Sequence, residues 1–402
     1  MTRALHIRPN GPTPRGPDAS ESRSPLQPQN HGDTPRHPGV EQPLLLTGVT
    51  GFVGSVLLGE LLKRGHRCIA LLRPPVPDRK ARLLALLTGR GVDAERLIDN
   101  GRLVLLGGSL PDGLPRELPR PVGAVVHVAG LTRFRPDPSG DPCRTNDDGT
   151  RHLLRWMDRH AIDTIHHVST AYIFGDSPEH APERVPDTPP RFRNAYERSK
   201  WRGEHHVWRW GRRPGRTATV YRPSIVVGDW ETGYTTHFNG PYLAFEALDA
   251  VRRSGLHRPD RPLRIAADRD ADLNLIPVDY LAELMASIIE QPSGHGLVYN
   301  IVHPEPIPTS TLFEMVGRIF GVRCEHHGMP GVGGPTPMTP CERRFFAATR
   351  HLNAYLSRPH RFERTNTALA ERRITRSCPC WDEPAIGRLV EYARRRRWGR
   401  TP

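Results

Sequence analysis

Lysine is almost missing from this 402-residue chain: of its 57 basic residues only Lys63, Lys80 and Lys200 are lysines. No run of 18 apolar residues occurs, which excludes a membrane-spanning helix. The opening stretch MTRALHIRPNGPTPRGPDAS has no apolar core of the kind a secretory leader needs, so the cytoplasm is the expected compartment. Six cysteines (68, 143, 324, 341, 378 and 380) are scattered, and the CPC near the end has no second pair to complete a zinc site. Isolated reduced thiols are expected. Twenty histidines include HH at 166–167, 205–206 and 326–327, but no HExxH-type spacing. They read as ordinary core or surface residues, and no metal is expected. Zinc-finger, RNP-type and basic-zipper patterns are absent too, so the formal charge of +14 does not imply a nucleic-acid partner. It suits solvated arginine or an acidic protein partner.

What is present is ordinary for a globular protein: 37% hydrophobic and 25% charged residues. Residues 1–42 are rich in Pro, Gly, Ser and Arg and read as a disordered extension. Apolar order begins at PLLLTGVTGFVGSVLLGELLKRG. The stretches RCIALLRPP (67–75), LVLLGG (103–108), GAVVHVAG (123–130) and TIHHVSTAY (164–172) read as further strands, and RTATVYRPSIVVG (216–228) as a sixth strand and its loop. Helices are expected between them, over 145–160 and from about Tyr196 to Trp210. This alternation predicts an α/β fold, a Rossmann-type doubly wound parallel sheet over 43–229. After 229 come helices over 279–291 and 310–320 and a strand over 297–302. Residues 230–402 read as a smaller C-terminal substrate lobe, interleaved with the last strands of the sheet. GMPGVGGPTPMTP (328–340) reads as a loop.

Four patterns carry chemistry. TGVTGFVG places Gly48, Gly51 and Gly54 between a strand and a helix. This is the context in which glycines turn the backbone tightly and let a pyrophosphate approach a helix N-terminus. Thr50, Phe52 and Val53 lie within the same turn. Next, no acid occurs between Glu60 and Asp78, where an NAD-selective site usually places one for the ribose 2′-hydroxyl. Arg73 stands there instead and suits a 2′-phosphate, so NADP(H) is expected over NAD(H). A solvated surface arginine is the competing reading. Third, Tyr196 and Lys200 in NAYERSKWRGE lie one helical turn apart on one face. A lysine ammonium beside a phenol would lower the tyrosine pKa and make it a proton donor or acceptor near neutral pH. Fourth, Ser169 and Thr170 in HVSTAYIFG stand at a strand end, where such sheets bind ligands.

The order TGxxGxxG, Ser/Thr strand end, YxxxK and RPSIVVG resembles the extended short-chain dehydrogenase/reductase superfamily over residues 43 to about 305. HVSTAYIFGD, NAYERSKWRGE and YRPSIVVGDWETG are most similar to fatty acyl-CoA reductases and terminal thioester reductase domains, the male-sterility-type NAD-binding domains. The resemblance implies that Thr170, Tyr196 and Lys200 form the catalytic triad, with Ser169 as neighbouring alternative. Asn146, in TNDDGTRHLL, would complete a tetrad. HVAGLTRF would line the nicotinamide through Ala129 and Gly130, with Pro223 and Ser224 at the carboxamide end. Relatives carry Gly-Asp-Leu after the third strand; here GGSL puts Ser109 in place of the Asp near the adenine. The implied reaction is NADPH-dependent reduction of an acyl thioester, on coenzyme A or on an acidic acyl or peptidyl carrier protein acting in trans, to aldehyde or alcohol. Alternatives are a ketone/alcohol reductase or nucleotide-sugar epimerase/dehydratase of the same superfamily, and a non-catalytic NADP-binding sensor.

Overall fold

A computed structural model describes residues 42–400 apart from 177–179, 187, 256–260, 269–270, 328–336, 351, 353–354 and 357–358. The extension expected over residues 1–42 thus falls, but for its last residue, outside the described residues, as does most of the 328–340 loop.

Seven parallel strands form the central sheet: β1 (Leu44–Thr47), β2 (Cys68–Leu72), β3 (Leu103–Gly107), β4 (Ala124–His127), β5 (Thr164–Val168), β6 (Thr217–Tyr221) and β7 (Val298–Tyr299). Their spatial order is β3-β2-β1-β4-β5-β6-β7. Chain direction across the sheet reverses between β1 and β4, and the crevice above that point is where open α/β sheets bind ligands.

The helices are α1 (Phe52–Lys63), α2 (Val76–Thr88), α3 (Ala94–Asp99), α4 (Gly149–Arg159), α5 (Ala195–Gly211), α6 (Pro241–Arg253), α7 (Val278–Ile289), α8 (Thr309–Phe320), α9 (Pro340–Thr349), α10 (Thr365–Glu371) and α11 (Glu383–Arg395). Successive strand residues point to opposite faces. Leu44 and Leu46 therefore join the core made with α1 and α7, while Leu45 joins the core made with α4 and α5. Both faces are covered, which is why β1 and β2 read as unbroken apolar runs rather than alternating ones.

The chain beyond 229 serves two cores. Residues of α6, α8, α9 and α11 build a separate hydrophobic cluster. But α7, Tyr299 and Ile301 belong to the core under β1, and β7 pairs with β6.

One element ends earlier than its sequence suggests. The strand expected over 164–172 stops at Val168. Thr170 then caps a 3-10 turn, Ala171–Phe174, its side chain accepting from the Tyr172 N–H. Over 216–228, expected as a strand and its loop, the strand runs to Tyr221. Pro223, with no N–H to donate, breaks it, and Ile225–Val227 pairs instead with Leu275–Pro277. The buried Arg222 holds this corner by pairing with Glu204 of α5 at 2.5 Å.

Six free cysteines agree with the expected reduced thiols. Among the described residues, no group of three or more His, Cys, Asp or Glu side chains is placed to hold a metal, and no helix is long and apolar enough to cross a membrane.

Candidate active site

At the carboxyl ends of the strands lies a cavity of about 810 Å³. Its floor is the turn between β1 and α1. The Gly51 N–H bonds the Gly48 carbonyl at 2.9 Å, closing the turn. Gly48 needs its hydrogen twice over. Its φ is +73°, and a Cβ there would stand 2.6 Å from the Ala129 nitrogen. A Cβ on Gly54 would stand 2.2 Å from the Gly48 oxygen. No side chain caps α1, so its first N–H groups face the cavity unclaimed by any cap. Thr50, Phe52 and Val53 line the same floor.

One end of the cavity is built for an anion. Arg73 follows β2, and Arg79 and Arg82 reach in from α2, one turn apart. The Arg79 Nε is buried without a protein partner. Ser109 lies nearby, its hydroxyl donating to the Asp112 carbonyl at 3.3 Å. No carboxylate lines the cavity. The glycine cradle, the unpartnered guanidinium nitrogen and the basic end together fit a dinucleotide. Sequence reasoning missed Arg79 and Arg82 because α2 buries only Leu83 and Leu87, a weak apolar stripe, and so was not read as a helix.

The reactive groups converge on the opposite wall. Asn194 caps α5, its side chain accepting from the Glu197 N–H at 2.9 Å, which fixes the entry of Tyr196. The side chains of Tyr196 and Thr170 both line the cavity, and the Thr170 hydroxyl acts on the Tyr196 phenol to lower its pKa. The ammonium of Lys200 donates to the Val168 carbonyl at 2.6 Å. Ser169 and Ser224 also line the cavity, each with a buried hydroxyl that has no protein partner. Pro223, Ala129 and Gly130 complete this wall.

Two expectations need correction here. Burial pushes the Tyr196 phenol up to about 12, against the lowering effect of the Thr170 hydroxyl. Lys200 is not among the groups that lower it: its ammonium donates to the Val168 carbonyl, and burial draws its own pKa down to about 8. The phenol is therefore neutral at neutral pH. Asn146 is not part of the cavity wall. It lies behind it, its Oδ1 accepting from the Leu131 N–H at 2.8 Å and its Nδ2 donating to the Leu131 carbonyl at 3.0 Å and to Ser199 Oγ at 2.9 Å. Both protons of its Nδ2 are committed, and its Oδ1 accepts one hydrogen bond.

The lining also includes a group of aromatic and apolar side chains, with Thr132, Arg133 and Arg135 flanking Phe134. Phe134, Tyr172, Leu243, Leu352 and Tyr355 form this group, and His237 and Asn239 line the cavity too. Phe134 lies 6.3 Å from the Tyr196 ring and 5.9 Å from Tyr355. Tyr355 donates to Glu197 at 2.8 Å, tying the late chain to the start of α5. These residues come from segments far apart in sequence, and no local pattern marks them.

Residues 46–285 match the family model described as Male sterility protein, an NAD-binding family. The chain is 26% identical over 294 residues to glycine betaine reductase ATRR of Emericella nidulans, covering 67% of this chain and 22% of that protein. It spans about a quarter or less of the length of the curated relatives it matches. Among solved structures, the terminal R domain from the myxalamid PKS-NRPS pathway superposes with a TM-score of 0.73 at 23% identity, over 90% of this chain and 92% of that one. A thiolation-reductase di-domain from an archaeal non-ribosomal peptide synthetase gives 0.68 at 16% identity, over 89% and 76%. These two likenesses establish the fold.

Proposed function

We propose that this chain, which belongs to the male sterility protein family, is an NADPH-dependent reductase of acyl thioesters carried on a carrier protein or on coenzyme A. The observation that carries the reading is one cavity free of carboxylates, with three arginines at one end, Thr170, Tyr196 and Lys200 on the wall, and a group of aromatic and apolar side chains in the lining. The relatives named as a reductase, an R domain and a thiolation-reductase di-domain support it.

In this reading Arg73, Arg79 and Arg82 hold the 2′-phosphate that distinguishes NADP from NAD. The glycine turn takes the pyrophosphate, Ser109 lies at the adenine end, and Ser224, Pro223, Ala129 and Gly130 border the nicotinamide. Bound there, the dinucleotide supplies a hydride to the thioester carbonyl carbon. Thr170, with Ser169 beside it, and Tyr196 donate hydrogen bonds to the carbonyl oxygen as it gains charge, the kind of preorganised stabilisation that contributes most in such reactions. Tyr196 then gives up its proton, and its raised pKa keeps that proton in place at neutral pH. Lys200 supplies a fixed positive charge under the site and a hydrogen bond for the ribose. Collapse of the resulting thiohemiacetal breaks the carbon–sulfur bond and leaves aldehyde and free thiol. The formal charge of +14 suits an acidic carrier.

The test is NADPH consumption with acyl groups on coenzyme A and on a phosphopantetheinylated carrier, with ketones as controls. Consumption that requires a thioester, releases one thiol per aldehyde and falls at least about 100-fold in Tyr196→Phe supports the reading. Turnover of ketones alone, or sugar-nucleotide conversion without net NADPH loss, overturns it.

A further inference from the structure

A buried chain of hydrogen bonds runs from the phosphate turn to the catalytic helix, and its direction can be worked out proton by proton. His127, at the end of β4, is fully buried and outside the cavity. Its Nδ1 lies 2.8 Å from Thr47 Oγ1 and its Nε2 lies 3.1 Å from Thr150 Oγ1. The Thr150 hydroxyl donates to the Asn146 carbonyl at 2.7 Å, so its one proton is committed there. Toward His127 it can only accept, which puts the imidazole proton on Nε2. Nδ1 is then a bare acceptor, and the Thr47 hydroxyl must donate to it. Thr47 Oγ1 in turn accepts from the Ala129 N–H at 3.2 Å. Asn146 continues the chain through Nδ2 to Ser199 Oγ, which donates to the carbonyl of Tyr196 at 2.8 Å.

The residues tied in this way matter. Ala129 is held through Thr47, and Leu131 is held at both its N–H and its carbonyl by Asn146. Ala129, Gly130 and Leu131 form the cavity wall, and Ala129 is the group that meets Gly48 at closest approach. The neighbouring imidazole of His167, with its ring 5.2 Å away, has no hydrogen-bond partner at either nitrogen and cannot orient His127. The two threonines do so alone.

We propose that His127 is a positioning residue: a neutral imidazole, protonated on Nε2, whose one-way hydrogen bonds between Thr47 and Thr150 set the 129–131 wall against the dinucleotide. Burial, aided by the Lys200 charge, lowers its pKa to about 3, so it stays neutral throughout the working range. The proposal rests on the reading of the cavity as an NADPH site.

Thr150 provides the test, because it does not line the cavity and its hydroxyl bonds His127 and the Asn146 carbonyl. Replacing it by Val keeps the shape and removes the hydroxyl; Ser returns the hydroxyl. Thr150→Val should raise the NADPH Kd by about three- to thirtyfold, with Thr150→Ser restoring it to within about twofold. Equal affinity in Val and wild type, or equal loss in Val and Ser, overturns the proposal. Should the Val variant fail to fold, nitrogen-15 spectra of the histidine-labelled wild type decide. The ring signal that moves in Thr150→Ser should show neutral imidazole protonated on Nε2 at pH 7. Protonation on Nδ1, or a charged ring, overturns the proposal. A wild type that does not bind NADPH would sink the cavity reading instead, and the spectrum, recorded without dinucleotide, would still decide the direction of the chain.

Discussion

At Lys200 the ammonium sits 4% exposed against a single backbone carbonyl, and that burial draws its pKa from 10.5 down to about 8. Two consequences follow, with opposite signs. Below about 8 the lysine is charged in both folded and unfolded chains, so the folded state carries the whole cost of the buried charge. Between about 8 and 10.5 the unfolded chain binds more protons, so the contribution of Lys200 to stability improves as pH rises. Activity that needs the ammonium should fall over the same interval, kcat/KM declining with an apparent pKa near 8. The difference in Tm between wild type and Lys200→Met should meanwhile shift toward the wild type from pH 7 to pH 10. At the other end of the cavity, Arg79→Ala should lower the preference for NADPH over NADH by about tenfold, read as the ratio of kcat/KM values, since a charge-assisted hydrogen bond contributes about 1.5–3 kcal/mol. The pair Tyr196 and Lys200 was legible in the sequence because four residues on a helix make one face. The direction of the Tyr196 shift was not: it depends on what buries the ring, and on Lys200 being turned toward Val168. Arg79 and Arg82 were hidden because their meaning comes from α2 folding over the end of β2.

Helix α5 shows what one element must satisfy to present that pair. Its cap is local, but its approach to the preceding helix is set by Gly203. A Cβ there would stand 2.4 Å from the Asn146 carbonyl oxygen and 3.2 Å from Thr150 Oγ1. Both are members of the buried chain, so α5 cannot retreat without loosening it. Gly203→Ala should destabilise by about 1–3 kcal/mol, as overpacking does. It should also lower kcat at saturating substrate, because Tyr196 and Lys200 ride on the displaced helix. Denaturant unfolding and steady-state kinetics on one preparation check both. The elements themselves were legible to different degrees. The strands stood out as short apolar runs beside glycines, and the doubly wound parallel sheet followed from strand–helix alternation. The end of β5 was misread because β-branched and apolar residues continue past it; a 3-10 turn capped by Thr170 follows instead.

On the scale of the whole molecule, the chain leaves the main sheet at 229 and returns to finish it. Helix α7 buries Val278, Tyr280, Leu281, Leu284, Met285 and Ile288 in the core shared with α1, and β7 adds the last strand. Each such side chain contributes roughly 1.5–3 kcal/mol, and together they match the 5–15 kcal/mol by which domains are usually stable. A fragment of residues 43–229 should therefore not fold alone; far-UV and near-UV circular dichroism would show it collapsed without fixed tertiary packing, while residues 43–400 give a cooperative transition. The sequence placed a boundary at 229 because the strand–helix rhythm loosens there, yet packing runs across that point. The shortage of lysine carries a practical consequence as well. With Lys200 buried, the side-chain amines open to reagent are Lys63, at the far end of α1 from the glycine turn, and Lys80, between Arg79 and Arg82 of α2. In Lys80→Arg, coupling to an amine-reactive support would run through one side-chain handle. That handle lies the length of a 12-residue helix, about 18 Å, from the phosphate turn, so the enzyme would be tethered by its back with its mouth facing the solution.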